Sequence, residues 1–253
     1  MKKTIYRRPG IIGKTERQTR PKPHLDSRFL KSLFYLLFFA AIFYSVFFSG
    51  FFKIREVEVE GVKSEDVADY LHRSLIGKNI LLLRTGEYLR TLTAKFPILE
   101  EVRIERGLPS TVRVIVSERK QVLVWCSRDN CWEVDNSGYA YQEIPRPTDK
   151  IVLNDESGMP IKSGDKIASV QFIRFFMQAI DEIEKLGIKI DEAKIQETTF
   201  KVNFKTSEGW EIILDSSASL KNQISALKQV LEKNRSDIHE YVDLRVEGTA
   251  YLK

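Results

Sequence analysis

Ser32 to Phe52, "SLFYLLFFAAIFYSVFFSGFF", is a run of 21 residues without a charge, bracketed by Lys31 and Lys53. No other stretch constrains the chain so strongly. As a helix rising about 1.5 Å per residue it spans about 31 Å, and the hydrocarbon core of a bilayer is about 30 Å thick. A buried helix of a soluble domain carries polar positions on one face. A cleaved signal sequence has a shorter apolar region, about 7 to 15 residues, and small residues at its cleavage site. This run is dense in Phe and has no A-x-A-like triplet near its end. Residues 32–52 therefore read as one uncleaved membrane span.

Charge sets the expected orientation. Residues 1–31 hold 10 Lys+Arg against 2 Asp+Glu, net +8, and the 222 residues that follow hold 30 against 33, net −3. The overall excess of +5 thus sits entirely ahead of the span. A basic flank stays cytoplasmic, so residues 1–31 are expected inside and residues 53–253 outside. "KKTIYRR" and "KTERQTRPK" have no aromatic or motif support for nucleic-acid binding, and no nucleic-acid partner is expected. Adsorption of the flank to anionic inner-leaflet lipid is a reasonable secondary role.

From Lys53 the texture changes to short apolar periods among mixed charges. "IREVEVEG" sets Val57 and Val59 against Glu56, Glu58 and Glu60, a strand ending at Gly61. "SEDVADYLHRSLIG" predicts a helix with Ser64 as its N-cap and Gly77 closing it, and "GEYLRTLTAKF" a second helix from Thr85, stopped by Pro97. "ILEEVRIERGLPSTVRVIVSERK" then alternates on both sides of a turn at Gly107 to Ser110. Strand, helix, helix, strand, strand over residues 53–119 is enough for a small α+β domain.

Residues 120–253 predict a second, mixed α/β domain built on an antiparallel sheet. "QVLVWC", "CWEVD" and "GYAYQEI" read as three short strands, and "PRPTD" and "NDESGMPIKSGD" as turn-rich connections. A long amphipathic helix, "ASVQFIRFFMQAIDEIEKLG", precedes strands in "KIQETTFKVNFKT" and "GWEIILD" and a second helix, "SLKNQISALKQVLEK". The last stretch, "EYVDLRVEGTAYLK", alternates Val242, Leu244 and Val246 against Tyr241, Asp243 and Arg245. Gly248 then turns the chain, and Thr249 to Lys253 is expected beside it as the outermost strand, with no tail to cover the edge.

The pieces in residues 53–119, an opening I-x-x-V-x-V-x-G, "GKNILLL", "FP" and "ERGLPSTVRVIVSER", resemble a POTRA domain. With "GWEIILD", "SLKNQISALKQVL" and "YVDLRVEGTAYLK" behind a membrane span, essentially the whole chain resembles the FtsQ/DivIB family of bacterial cell division proteins. The short N-terminal region and the absence of a long tail match the FtsQ type. The resemblance implies a single-pass protein of the inner membrane at the division septum. It implies exported POTRA and β domains that bind FtsB- and FtsL-like proteins and other divisome components and help regulate septal peptidoglycan synthesis. It further implies that an FtsB-like strand adds to the last strand of the chain, with Val246, Gly248, Thr249, Ala250, Tyr251 and Leu252 lining the partner site and Tyr251 as its anchor.

Catalytic chemistry finds no footing. His24, His72 and His239 are scattered, and neither H-E-x-x-H nor G-x-S-x-G occurs. Asp135 and Gly138 in "VDNSGYAY" lack the spacing of a calcium loop and read as a hairpin turn. Cys126 and Cys131 have no further ligand nearby for zinc; flanking a four-residue loop on facing strands, they form either a disulfide, favoured outside the cytoplasm, or two packed thiols. No cofactor, metal or small-molecule substrate is expected, and the chain reads as a non-enzymatic binding protein. An envelope chaperone or transport component using the POTRA domain is the alternative; such proteins usually carry POTRA repeats and a barrel. A cell-wall hydrolase would need a catalytic set that the sequence does not assemble.

Overall fold

The computed structural model describes residues 1–5, 27–148, 150–196 and 200–253. Most of the basic flank, with His24, and Glu197 to Thr199 of a predicted strand lie outside the described residues. The chain forms two compact units, Met1–Ser49 and Gly50–Lys253.

In the first unit, helix α1 runs Ser27–Phe48, starting five residues before the uncharged run and stopping four short of its end. Its 22 residues measure about 33 Å. With mean hydropathy 1.9 and none of that window buried, it is long and apolar enough to cross a membrane. Gly50–Phe52, at the end of the run, forms a separate helical turn that belongs to the second unit.

After that turn the second unit continues with β1 (Glu56–Glu60), α2 (Glu65–Leu75), α3 (Thr85–Lys95), β2 (Leu99–Gly107) and β3 (Thr111–Glu118). The sheet order is β1-β3-β2, with β1 parallel to β3 and β2 antiparallel to it. Apolar positions at helical spacing on α2, Val67, Leu71 and Leu75, meet Val57, Leu92, Val112 and Val114 in one core. Ser64 stands at the N-cap position of α2, but its side chain makes no capping bond. The Glu118 carboxylate instead accepts the Lys63 and Ser64 amides at 2.7 and 3.1 Å, tying the helix start to β3.

Then follow β4 (Leu123–Ser127), β5 (Asn130–Val134), β6 (Ala140–Ile144), β7 (Val152–Asp155), α4 (Val170–Lys185), β8 (Ile190–Ile195), β9 (Lys201–Thr206), β10 (Glu211–Asp215), α5 (Leu220–Asn234), β11 (Tyr241–Asp243) and β12 (Tyr251–Leu252). They form a nine-stranded sheet in the order β12-β11-β10-β9-β8-β7-β4-β5-β6. Hairpin neighbours pair antiparallel, as the alternating patterns predict. The sheet is nevertheless mixed: β7–β8, β10–β11 and β4–β7 are parallel. The first two pairs are joined through α4 and α5, and a helical crossover returns the chain in the same direction. β7, in the middle of the sheet, went unread: its last two residues, Asn154 and Asp155, fall inside the segment "NDESGMPIKSGD" read as a connection.

Both helices contribute to the larger core. Trp125, Phe172, Phe176 and Phe204 form a ladder of ring contacts with centroids 5.8, 6.1 and 5.4 Å apart, joining β4 and β9 through α4. A smaller cluster of Val124, Cys126, Cys131 and Val152 includes the two cysteines, which face each other across β4 and β5 and are joined through their sulfurs.

Arg119 links the two sheets. Its guanidinium pairs with Asp135, donates from Nε to the Pro97 carbonyl at 3.0 Å and lies over the Tyr139 ring at 4.4 Å. The other Asp135 oxygen accepts the Ser137 and Tyr139 amides at 2.9 and 2.8 Å. The predicted hairpin turn is thus also the anchor between sheets, a role no local spacing announces.

Candidate partner-binding edge

The last strands take their position from β10. Side-chain amide atoms of Gln223, buried on α5, copy a strand neighbour: Oε1 accepts the Asp215 amide at 2.8 Å and Nε2 donates to the Asp215 carbonyl at 2.9 Å. β11 runs parallel to β10, with Ile212 opposite Val242. Val242 and Leu244 are buried, as the alternation predicts.

The alternation then breaks. Val246 was expected on the core face and is instead 52% exposed. The cause is Asp243, whose carboxylate accepts the Arg245 amide at 3.1 Å and the Arg245 guanidinium at 3.0 and 2.7 Å. This local clamp competes with the ladder and turns the chain outward. Burial opposes ionisation of Asp243, but the hydrogen bonds from Arg245, with the charges of Arg245 and Lys201, outweigh it and hold the carboxyl below its ordinary value. The Thr249 amide closes a turn on the Val246 carbonyl at 3.1 Å, and Gly248 supplies its positive φ of 74°.

β12 returns antiparallel, Leu252 opposite Val242 and Tyr251 opposite Asp243. Leu252 and Ala250 pack against the core, whereas Tyr251 is 53% exposed. Tyr241 and Lys253 exchange main-chain hydrogen bonds, 3.1 and 3.2 Å. In an antiparallel ladder such pairs alternate with pairs that exchange none, so Tyr251 bonds inward to Asp243. The N–H and C=O of Leu252 then point away from β11, on the open side of the sheet.

The six expected site residues therefore fall into two places. Thr249, Ala250, Tyr251 and Leu252 form and approach the edge strand, while Val246 and Gly248 line a recess of about 170 Å³ against α5. Asn222 holds the far wall by donating to Glu247 at 2.9 Å. The Asp243–Arg245 clamp and the Asn222–Glu247 contact escaped sequence reasoning; a D-x-R spacing at the end of a strand was the available signal. Cys126 and Cys131 lie on β4 and β5, strands remote from β12 in the sheet order. His72 and His239 are exposed, and no cluster of metal-ligating side chains occurs among the described residues.

Residues 52–119 match the family described as POTRA domain, FtsQ-type. Over 206 residues the chain is 24% identical to the cell division protein DivIB of Clostridium acetobutylicum, covering 78% of this chain and 81% of the relative. It is 27% identical to the cell division protein FtsQ of Chloroflexus aurantiacus over 54% of this chain and 47% of that protein. FtsQ of Rickettsia conorii is 23% identical over 75% of this chain and 73% of its own length. Residues 52–119 are thus a POTRA domain of the FtsQ type, and among the described residues it stands between one apolar helix and a large mixed sheet in a chain similar to the cell division proteins FtsQ and DivIB.

Proposed function

We propose that the protein is a non-enzymatic, single-pass divisome scaffold with a cytoplasmic N-terminus. Its POTRA and β domains lie outside the cytoplasmic membrane at the septum, and it recruits FtsB- and FtsL-like partners that regulate septal peptidoglycan synthesis. The observation that supports this reading best is the edge: β12 pairs with β11 alone among the described strands and turns the Leu252 main chain outward. An extended partner segment adding there gains main-chain hydrogen bonds, and side chains on alternate positions give specificity. Tyr251, exposed beside that edge, is the anchor, because a large amphipathic ring offers contact area at low entropic cost. The same reading places the Cys126–Cys131 bridge in an oxidising compartment.

The test is binding of the membrane-reconstituted full chain to the extracytoplasmic segment of an FtsB-like protein. Tyr251→Ala should weaken binding by about 30-fold, the effect of a hot-spot residue. Deleting Thr249 to Lys253 should abolish it. Full affinity in the truncated chain would remove β12 from the partner site.

A further inference from the structure

We propose that one end of the POTRA domain is a docking face for the anionic phospholipid surface into which α1 inserts. The proposal rests on the reading of α1 as a membrane span. Three segments distant in sequence meet at this end. The Ile54 amide donates to the Lys78 carbonyl, the Gly77 amide to the Ile54 carbonyl and the Ile80 amide to the Phe52 carbonyl, each at 2.9 Å. The α2–α3 connector is thereby laced to residues 52–54. On the other side the Arg55 amide donates to Ser110, at the tip of the β2–β3 hairpin, at 2.9 Å, and the Arg106 guanidinium donates to the Leu83 carbonyl at 2.7 Å.

The chemistry of the three segments is sorted. "GFFKIR", "IGKNILLLR" and "RGLPS" contain Lys53, Arg55, Lys78, Arg84 and Arg106 and no acidic residue. Residues 53–119 as a whole hold 12 Lys+Arg and 11 Asp+Glu, so the domain is almost neutral while these three segments are purely basic. The carboxylates nearest them are Glu56, whose amide donates to the Ser110 carbonyl, and Glu87, 3.6 Å from Arg84. Among these cations stand Phe51, Ile76, Leu82 and Leu108, each between 49% and 62% exposed. Aromatic and aliphatic side chains with long basic neighbours suit the headgroup region, where apolar parts enter and charged tips stay at phosphate level.

Position supplies the occupant. Lys53 follows the end of α1 at Phe48 by five residues, and a fully extended chain of that length reaches about 18 Å. If α1 spans a bilayer, the segment that organises this end cannot leave the bilayer's vicinity, and anionic phosphate complements its charge. A cleft of about 460 Å³ shares Lys78, Leu82 and Arg84 with this end; Glu87 lines it too, paired with Arg84 at 3.6 Å, so Lys78 is the cation there without a carboxylate partner among the ion pairs of the described residues.

The experiment uses the full chain in nanodiscs, with a fluorescent amino acid in place of Leu82 or Leu108 and a quencher carried on lipid headgroups. Quenching should be about threefold stronger in discs containing phosphatidylglycerol than in phosphatidylcholine alone, and should fall towards the phosphatidylcholine level in high salt. Lys53→Glu with Lys78→Glu should remove the difference between the lipids. Equal quenching in both lipids, or none, overturns the proposal. A probe at Phe43 with an acyl-chain quencher keeps the readings apart: quenching there with none at Leu82 defeats the docking face alone. No quenching at Phe43 defeats the membrane span and the docking face with it.

Discussion

Asp243 and Arg245 show how two residues decide where a strand ends. The pair sits where period-two alternation would carry β11 on to Glu247, and its clamp of four hydrogen bonds makes the outward turn the better bonded alternative. Because the folded carboxyl titrates below its ordinary value of 3.8, the clamp's contribution is complete above the unfolded value and is lost as pH falls through the lower folded one. An NMR titration of the Asp243 carboxyl in the full chain should therefore show a midpoint below 3.8, raised by Arg245→Ala. An unperturbed midpoint would mean that the clamp does not form in solution. Arg119 acts at the same scale with higher stakes, since its partner Asp135 is 1% exposed. Removing one partner of a buried pair leaves the other charge without compensation. Arg119→Ala should cost about 3 kcal/mol in chemical unfolding of the second unit, and much less when combined with Asp135→Asn. A loss within about 0.5 kcal/mol would class Arg119 as an ordinary surface residue.

Elements differ in how openly the sequence declares them, and the differences have physical causes. α4 is plain because Phe172, Phe176, Ala179 and Ile183 repeat at helical spacing and all are buried. The β2–β3 hairpin is plain because one face is buried and the other solvated, so apolar residues alternate. β7 offers neither signal: only Val152 and Leu153 of its four residues are apolar, and parallel neighbours on both sides leave no alternation to read. The edge was legible as a region and misread in detail, because the alternation of Val242, Leu244 and Val246 says nothing about the clamp that ejects Val246. β12 itself yields a sharper test than deletion, which also removes the Lys253 pairing with Tyr241. The Leu252 N–H faces outward, so proline there removes a donor to an incoming strand while sparing the bonds to β11. Leu252→Pro should lower affinity for an FtsB-like strand at least tenfold, with Leu252→Ala, which keeps the N–H, closer to the parent. Equal loss in both variants would assign the effect to the side chain rather than to strand addition.

At the scale of the whole molecule, charge and the apolar helix carry the reading that local packing cannot. The tie between Arg119 and Asp135 spans sequence-distant strands and had no pattern to announce it, whereas the orientation of a span depends on a sum over a flank and needs no contact at all. The flank of residues 1–31 is net +8 and everything after it net −3, so the two sides of α1 differ in sign as well as in size. Lys and Arg next to a span resist translocation, and the acidic residues that dominate the remainder oppose it little. A reporter that is active only outside the cytoplasm should therefore work when fused after Lys253 and fail when fused ahead of Lys31. Neutralising the Lys and Arg residues of the flank should produce a mixed population, because the helix still inserts but loses the charge that orients it. Activity from the N-terminal fusion and silence from the C-terminal one would place the POTRA domain and the β12 edge in the cytoplasm. An extracytoplasmic FtsB-like strand could not reach them there, and a bridge between Cys126 and Cys131 would face a reducing compartment.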